Sequence, residues 1–96
     1  MDLVKLNTDS RALLEAVADR LPPDTTAGYR RLSDAGEWAE LVDSLCASLV
    51  RRKIVLSVPE YQRVADLLSQ LGGPRDGYTF LSDPQGVLSK LVVDPN

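Results

Sequence analysis

A chain of 96 residues is long enough for one domain with a single modest hydrophobic core. It contains no histidine and one cysteine, which excludes a histidine-activated nucleophile, a structural zinc site and an intramolecular disulfide. The formal net charge of −3 argues against a general nucleic-acid binder.

Residues 1–7 leave two interpretations open, a fraying lead-in or a short edge strand. After them, Asn7, Thr8 or Asp9 is a suitable N-cap for a first helix. The apolar positions of this helix recur with helical spacing at Leu13, Leu14, Val17, Ala18 and Leu21. Pro22-Pro23 ends the helix, because neither proline donates the next backbone hydrogen bond.

A shorter second helix is predicted through Tyr29 and Leu32, with a cap supplied by Asp24, Thr25 or Thr26. Gly28 lies inside it, and a glycine in a helix costs ~1 kcal/mol relative to alanine. We therefore expect this helix to depend on tertiary contacts.

The third helix follows a capping-box spacing, with Asp34 three residues before Glu37. Its apolar stripe is Leu41, Val42, Leu45, Cys46, Leu49 and Val50. The basic run Arg51-Arg52-Lys53 suits the negative end of a helix, so we place the end of the helix there. Because Cys46 lies on the apolar stripe, we expect it to be buried and unreactive.

A fourth helix is predicted after the short apolar link Ile54-Val55-Leu56. Ser57 and Glu60 form a second capping box, and Pro59 fits the first turn. The stripe of this helix is Tyr61, Val64, Ala65, Leu68 and Leu71, and Gly72-Gly73-Pro74 closes it. The third and fourth helices, joined by a partly extended link, make an αα-hairpin.

The residues after 73 contain several helix breakers and allow two interpretations. Two apolar runs, 78–81 and 87–93, flank the turn-like sequence Ser82-Asp83-Pro84-Gln85-Gly86. This pattern fits a β-hairpin or, equally, a loop followed by a short helix from about Gln85 to Leu91. The prediction is a single all-α domain over residues 1–96, with about four helices. Its core covers 8–73, and an irregular or β-hairpin extension covers 74–96.

We expect a soluble, cytoplasmic protein. Acidic residues interrupt the first twenty positions, which argues against a signal peptide, and no apolar run approaches the ~20 residues of a membrane span. No catalytic residue, cofactor site or metal site is predicted, since no nucleophile–base pair or phosphate-binding loop is present. A monomer is the favoured oligomeric state.

Acidic residues dominate the third helix. Between Arg31 and Arg51 every charged side chain is acidic: Asp34, Glu37, Glu40 and Asp43. Such a face is commonly only a solvated surface, and acids also suit a helix N-terminus. The functional interpretation is an anionic patch that attracts a basic partner.

Trp38, the one tryptophan, lies at the start of this stretch. A core anchor is the favoured interpretation, and an interface hot spot is the alternative. The candidate partner-binding residues are therefore Asp34, Glu37, Trp38, Glu40 and Asp43. The basic residues at 30–31 and 51–53 are interpreted first as compensation of helix ends.

Several motifs in the middle of the chain resemble the MafI family of small bacterial immunity proteins. They are Asp34-Ala35-Gly36-Glu37-Trp38, Leu45-Cys46-x-x-Leu49, the link from Ile54 to Ser57, and Pro59-Glu60-Tyr61. The resemblance covers about residues 21–72. The link lacks the proline expected in the family, and the tail is longer.

The resemblance implies a protein that neutralises a cognate polymorphic or contact-dependent toxin, usually a nuclease-type domain. Such a protein binds the toxin in the cytoplasm, one to one, and needs no small-molecule substrate, cofactor or membrane. Nucleic acid is not an expected partner. The alternative function is a helical regulatory or nucleic-acid-associated module that would use the basic residues at 30–31 and 51–53.

Overall fold

The backbone forms mainly helices, and a very short sheet joins the middle of the chain to its end. The computed structural model describes residues 2–71 and 76–95. Within these residues the elements are α1 (Leu3–Val17), α2 (Pro23–Asp34), α3 (Trp38–Arg51), β1 (Val55–Leu56), α4 (Val58–Leu71), α5 (Pro84–Lys90) and β2 (Val92–Val93). The predicted mostly helical fold is confirmed, with five α-helices in the described part where about four were expected.

Helix α1 begins earlier than predicted. The Asp2 carboxylate accepts a hydrogen bond from the Lys5 N–H at 3.0 Å and caps the helix at its first turn. The expected start near Asn7, Thr8 or Asp9 is therefore wrong, and so are the lead-in and the edge strand for residues 2–7. The early turn also contributes Leu6 to the core.

A single 3₁₀ turn, Ala18–Arg20, follows α1 and precedes the two prolines. Pro22 is the N-cap of α2 and Pro23 its first residue, where a missing N–H costs nothing. The predicted cap at 24–26 is wrong. The Thr26 hydroxyl instead donates to the Pro22 carbonyl at 3.3 Å from inside the helix.

The turn between α2 and α3 corrects the predicted capping box at Asp34 and Glu37. Asp34 is the last residue of α2, and Glu37 precedes α3 without a side-chain cap. Gly36 adopts a φ of 75°, and its N–H donates to the Ser33 carbonyl at 3.1 Å. The Glu37 N–H donates to the Leu32 carbonyl at 2.9 Å, which completes a Schellman motif.

Five of the six predicted stripe residues of α3 are buried, namely Leu41, Val42, Leu45, Cys46 and Leu49, and Val50 is half-buried. The helix ends in a second Schellman motif, with Lys53 at a φ of 52°. The Ile54 N–H donates to the Leu49 carbonyl at 3.2 Å.

The capping box that opens α4 is also confirmed. The Ser57 N–H donates to Glu60 Oε1 at 2.8 Å, and the Glu60 N–H donates to Ser57 Oγ at 3.2 Å.

The β-hairpin predicted as one alternative for the C-terminal segment is wrong, and the loop followed by a short helix is confirmed. Asp83 caps α5 by accepting the Gly86 N–H at 3.1 Å. β2 pairs with β1 in parallel, with Val55 opposite Val92 and Leu56 opposite Val93. The predicted closure at Gly72-Gly73-Pro74 lies outside the described residues.

One core joins all the helices. Helix α1 packs against α2, α3 and α4, and α5 packs against α3 and α4. Leu81 and Val87 are buried in the same cluster as the leucines of α1 and α3, so the segment after residue 76 belongs to the core. Over the described ranges, no helix has the length and apolar character that a bilayer crossing requires.

Candidate protein-binding surface

The five candidate residues run from the end of α2 to the middle of α3, and the structure separates them into different environments. Asp34 belongs to an ion-pair cluster between α1 and α2. Arg11 Nη1 lies 3.0 Å from Asp34 Oδ1, and Arg11 Nε lies 3.2 Å from Glu15 Oε2. Arg30 Nη2 contacts the other oxygen of Glu15 at 2.7 Å. Asp34 is thus a connection between helices.

The same cluster lowers the pKa of Glu15 to about 2. The hydrogen bond from Arg30 is the largest cause, and the charges of Arg30 and Arg11 act in the same direction. An open cleft of about 750 Å³ is lined by Arg11, Glu15, Asp34 and Trp38, among other residues.

Trp38 is half-buried at the first position of α3 and packs against the core. Its Nε1 is buried and has no hydrogen-bond partner in the part of the chain that the structure describes. The packing agrees with the core-anchor interpretation. A contact of Trp38 with a partner protein stays a prediction.

Glu37 and Glu40 are exposed at the N-terminal end of α3. Neither carboxylate makes an ion pair or a hydrogen bond within residues 2–71 and 76–95. They lie three positions apart at the start of one helix, so they present two negative charges to solvent in the same region.

Asp43, half-buried on the next turn of α3, has a structural contact that the sequence did not suggest. Its Oδ1 accepts the Phe80 N–H at 2.9 Å and the Leu81 N–H at 3.0 Å. A carboxylate that accepts two backbone N–H groups holds the chain strongly in place. Asp43 therefore positions the loop of residues 76–83 against α3.

That loop adds a negative charge beside Glu40. Asp76 is exposed and unpaired within the described residues, and it lines an open cleft of about 410 Å³ together with Glu40, Asp43 and Tyr78. We call Glu37, Glu40, Asp76 and Tyr78 the acidic surface. Sequence reasoning missed Asp76 and Tyr78, because no local signal relates them to residues 36 positions earlier.

The basic residues of the alternative function do not share one environment. Arg30 is bound to Glu15 between α1 and α2, whereas Arg51 and Arg52 end α3 on the other side of Asp43. The Arg51 guanidinium lies over the Phe80 ring, 5.3 Å from its centroid.

Cys46 is fully buried between the helices, as predicted. Burial raises the pKa of its thiol to about 12, and the nearby Asp43 charge acts in the same direction. Both effects disfavour the thiolate, which is the reactive form. Its inertness to thiol reagents stays a prediction.

Among the described residues, no three acidic or cysteine side chains are grouped so that they could hold a metal ion.

Comparison with known protein families, with curated proteins and with solved structures found no match for the chain. The resemblance to the MafI family therefore stays a prediction that rests on the quoted motifs.

Proposed function

We propose that this chain is a cytoplasmic immunity protein that binds the catalytic domain of a cognate polymorphic toxin and blocks it by occupying its surface. The observation that carries the proposal is the acidic surface. Glu37, Glu40 and Asp76 are free of internal partners, while most other carboxylates of the described chain cap helices or pair with cations.

Free acidic groups on one side of a protein attract a basic partner and accelerate the encounter between them. A nuclease-type toxin has such a basic surface where it holds the phosphates of its substrate. The proposed mechanism is that Glu37, Glu40 and Asp76 take positions that those phosphates would otherwise occupy. Tyr78 supplies the aromatic contact that is common in protein interfaces.

Asp43 has an indirect role in this mechanism. By holding the N–H groups of Phe80 and Leu81, it keeps the loop with Asp76 and Tyr78 beside Glu40. The interface is expected to have the ordinary size of ~800 Å² on each partner. Inhibition of this kind is stoichiometric and requires neither a catalytic residue nor a cofactor, and we propose that the chain acts as a monomer.

The test uses the C-terminal domain of the protein encoded immediately upstream as the binding probe. In the double variant Glu40→Lys/Asp76→Lys we expect association to slow by about tenfold or more, because the attraction becomes repulsion. The association rate of the wild type should fall as salt increases. Stopped-flow or surface-based kinetics measures both effects.

The control is Asp24→Lys, which is compared with the single variant Glu40→Lys because each reverses one charge. Asp24 is also an exposed acid in the first turn of a helix without an ion pair in the described part, and it does not line the cleft that holds Glu40 and Asp76. Equal binding by the double variant and the control would contradict the acidic surface as the docking site. An upstream protein that the wild type does not bind would contradict the function itself.

A further inference from the structure

A groove of about 560 Å³ lies along α3 on the side of Asp43 opposite to Glu40. Arg51, Arg52, Tyr29 and Phe80 are among the residues that line it. We call this feature the arginine groove. It lies outside the acidic surface, and the proposed function does not use its two arginines.

The two arginines are available for a ligand. Arg11, Arg20 and Arg30 each pair with a carboxylate, whereas Arg51 and Arg52 have no carboxylate partner in the described part of the chain. Asp43 is the acidic residue among those lining the groove, and its Oδ1 accepts two backbone N–H groups. The groove thus combines two cations that lack a carboxylate partner with one carboxylate, so positive charge is in excess.

The walls of the groove are fixed before any ligand arrives. The Tyr29 hydroxyl donates to the Ser44 carbonyl at 3.0 Å and is hydrogen-bonded to Ser48 Oγ at 2.6 Å. The backbone of Phe80 is held through its N–H to Asp43, and the Arg51 guanidinium lies over the Phe80 ring, 5.3 Å from the centroid. This contact restricts the arginine side chain, which reduces the conformational entropy lost when its N–H groups bind an anion.

The arginine groove and the acidic surface adjoin each other. Asp43 and Ser44 line both the groove and the cleft that holds Glu40 and Asp76. From Glu40 to Arg52 the helix spans about 18 Å, so α3 presents negative charge at one end and positive charge at the other. Glu40 and Asp76 would repel a polyanion, such as a nucleic acid, that lay along this face. A protein that carries both positive and negative groups could pair with both ends of α3.

We infer that the arginine groove receives a carboxylate side chain of the partner protein, while the acidic surface holds basic groups of the same partner. This inference rests on the proposed function. Arg51 and Arg52 bind the carboxylate as a charge-assisted, two-pronged contact between the rings of Tyr29 and Phe80. The opposite charges at the two ends of α3 then set the orientation of the partner, so that only one alignment pairs both ends.

The experiment measures binding of the same upstream-encoded C-terminal domain to Arg52→Glu. Reversal of one arginine should raise Kd by about tenfold or more, mainly through faster dissociation, since the seated carboxylate loses its partner. Arg51→Lys keeps the charge but loses the planar fork, so a smaller increase in Kd is expected. Glu40→Lys/Asp76→Lys should act mainly on association, which separates the two ends kinetically.

Arg63→Glu is the matched control, because Arg63 is exposed on α4, has no ion pair in the described part and undergoes the same change in charge. If Arg52→Glu binds as well as this control while the double acidic variant binds weakly, the groove inference is wrong and the proposed function stands. If the wild type does not bind the domain, both are wrong. A short single-stranded RNA bound by the wild type but not by Arg52→Glu would also overturn the inference and favour a nucleic-acid ligand.

Discussion

The α1–α4 side of the molecule and the α3 side use their charged residues differently. Lys5 of α1 contacts Asp66 of α4 at 3.0 Å, and Arg20, in the turn after α1, forms a two-pronged pair with Glu60 of α4. On the exposed face of α3, Glu40 and Arg52 have no ion pair in the described part. Exposed pairs add only modest stability, but they occupy both charges. The charges of α3 that have no ion pair are therefore the ones available to a partner.

The largest expected effect concerns the C-terminal segment that packs on α3. If burial in the core holds this segment in place, removing a buried side chain from it should destabilise the protein. Leu81 is fully buried, so Leu81→Ala should lower the free energy of unfolding by about 2–5 kcal/mol through the lost apolar contacts and the cavity left behind. Urea or guanidinium denaturation measures the loss. Val4→Ala, at a side chain that is 77% exposed, should change stability by less than about 0.5 kcal/mol.

The next effect in size concerns Asp43, a charged residue of α3 that is hydrogen-bonded within the protein. Asp43→Ala leaves the N–H groups of Phe80 and Leu81 without their acceptor, and we expect a loss of about 1.5–3 kcal/mol. Faster amide hydrogen exchange at these two residues should accompany it. Glu40→Ala is the control within the same helix and should change stability by less than about 0.5 kcal/mol. Equal stability of the two variants would show that Asp43 is as free as Glu40.

The pH dependence of stability tests the ion pair between Arg20 and Glu60. Hydrogen bonds from Arg20 and then from Ser57 lower the pKa of Glu60 to about 2, against an ordinary value of 4.5. A lowered pKa in the folded state means that this stabilisation is present above about pH 5 and is lost as the pH falls toward 2. Glu60→Gln should therefore cost about 1–2 kcal/mol at neutral pH and much less at about pH 3.

Glu15→Gln serves as the comparison for that measurement. The pKa of Glu15 is also lowered to about 2, but 42% of its side chain is exposed, so solvent screens its pairs with Arg30 and Arg11. We expect the same direction with a smaller amplitude. If Glu60→Gln loses as much stability as the wild type when the pH is lowered, the acid sensitivity comes from other carboxylates.

The smallest expected effect lies at the end of α3. Lys53 has a φ of 52°, a conformation that glycine adopts more easily than residues with a Cβ. Lys53→Gly should raise the free energy of unfolding by about 0.5–1 kcal/mol. Arg52→Gly, one residue earlier and at a φ of −90°, should lower it by a similar amount, since no strain is relieved there. A destabilising Lys53→Gly would mean that the lysine side chain makes a stabilising contact.

Much of the helical framework could be predicted because its signals are local. The buried positions of α3, among them Leu45 and Cys46, follow from apolar spacing, and the Ser57–Glu60 box joins residues three positions apart. Two further features are also local, but the predicted helix starts do not include them. Asp2 is a residue type that caps helices and caps α1, and Gly36, with its positive φ, ends α2 and does not belong to the start of α3.

Apolar spacing predicted most of the core residues between Leu13 and Leu71, and the run of acids predicted that the start of α3 is an exposed acidic surface, because both depend on side-chain chemistry repeated within one or two turns. Leu6, Leu81 and Val87 also belong to the core but were not predicted there. Which charges stay free depends on the packing of whole helices. The partners of Asp43 lie 37 and 38 positions away, Asp34 is taken by Arg11, and Asp76 arrives beside Glu40 on a distant loop. The pairing of β1 with β2 likewise joins residues 37 positions apart in the chain. A contact across such a distance depends on how whole helices pack, and no local pattern of residues specifies that packing.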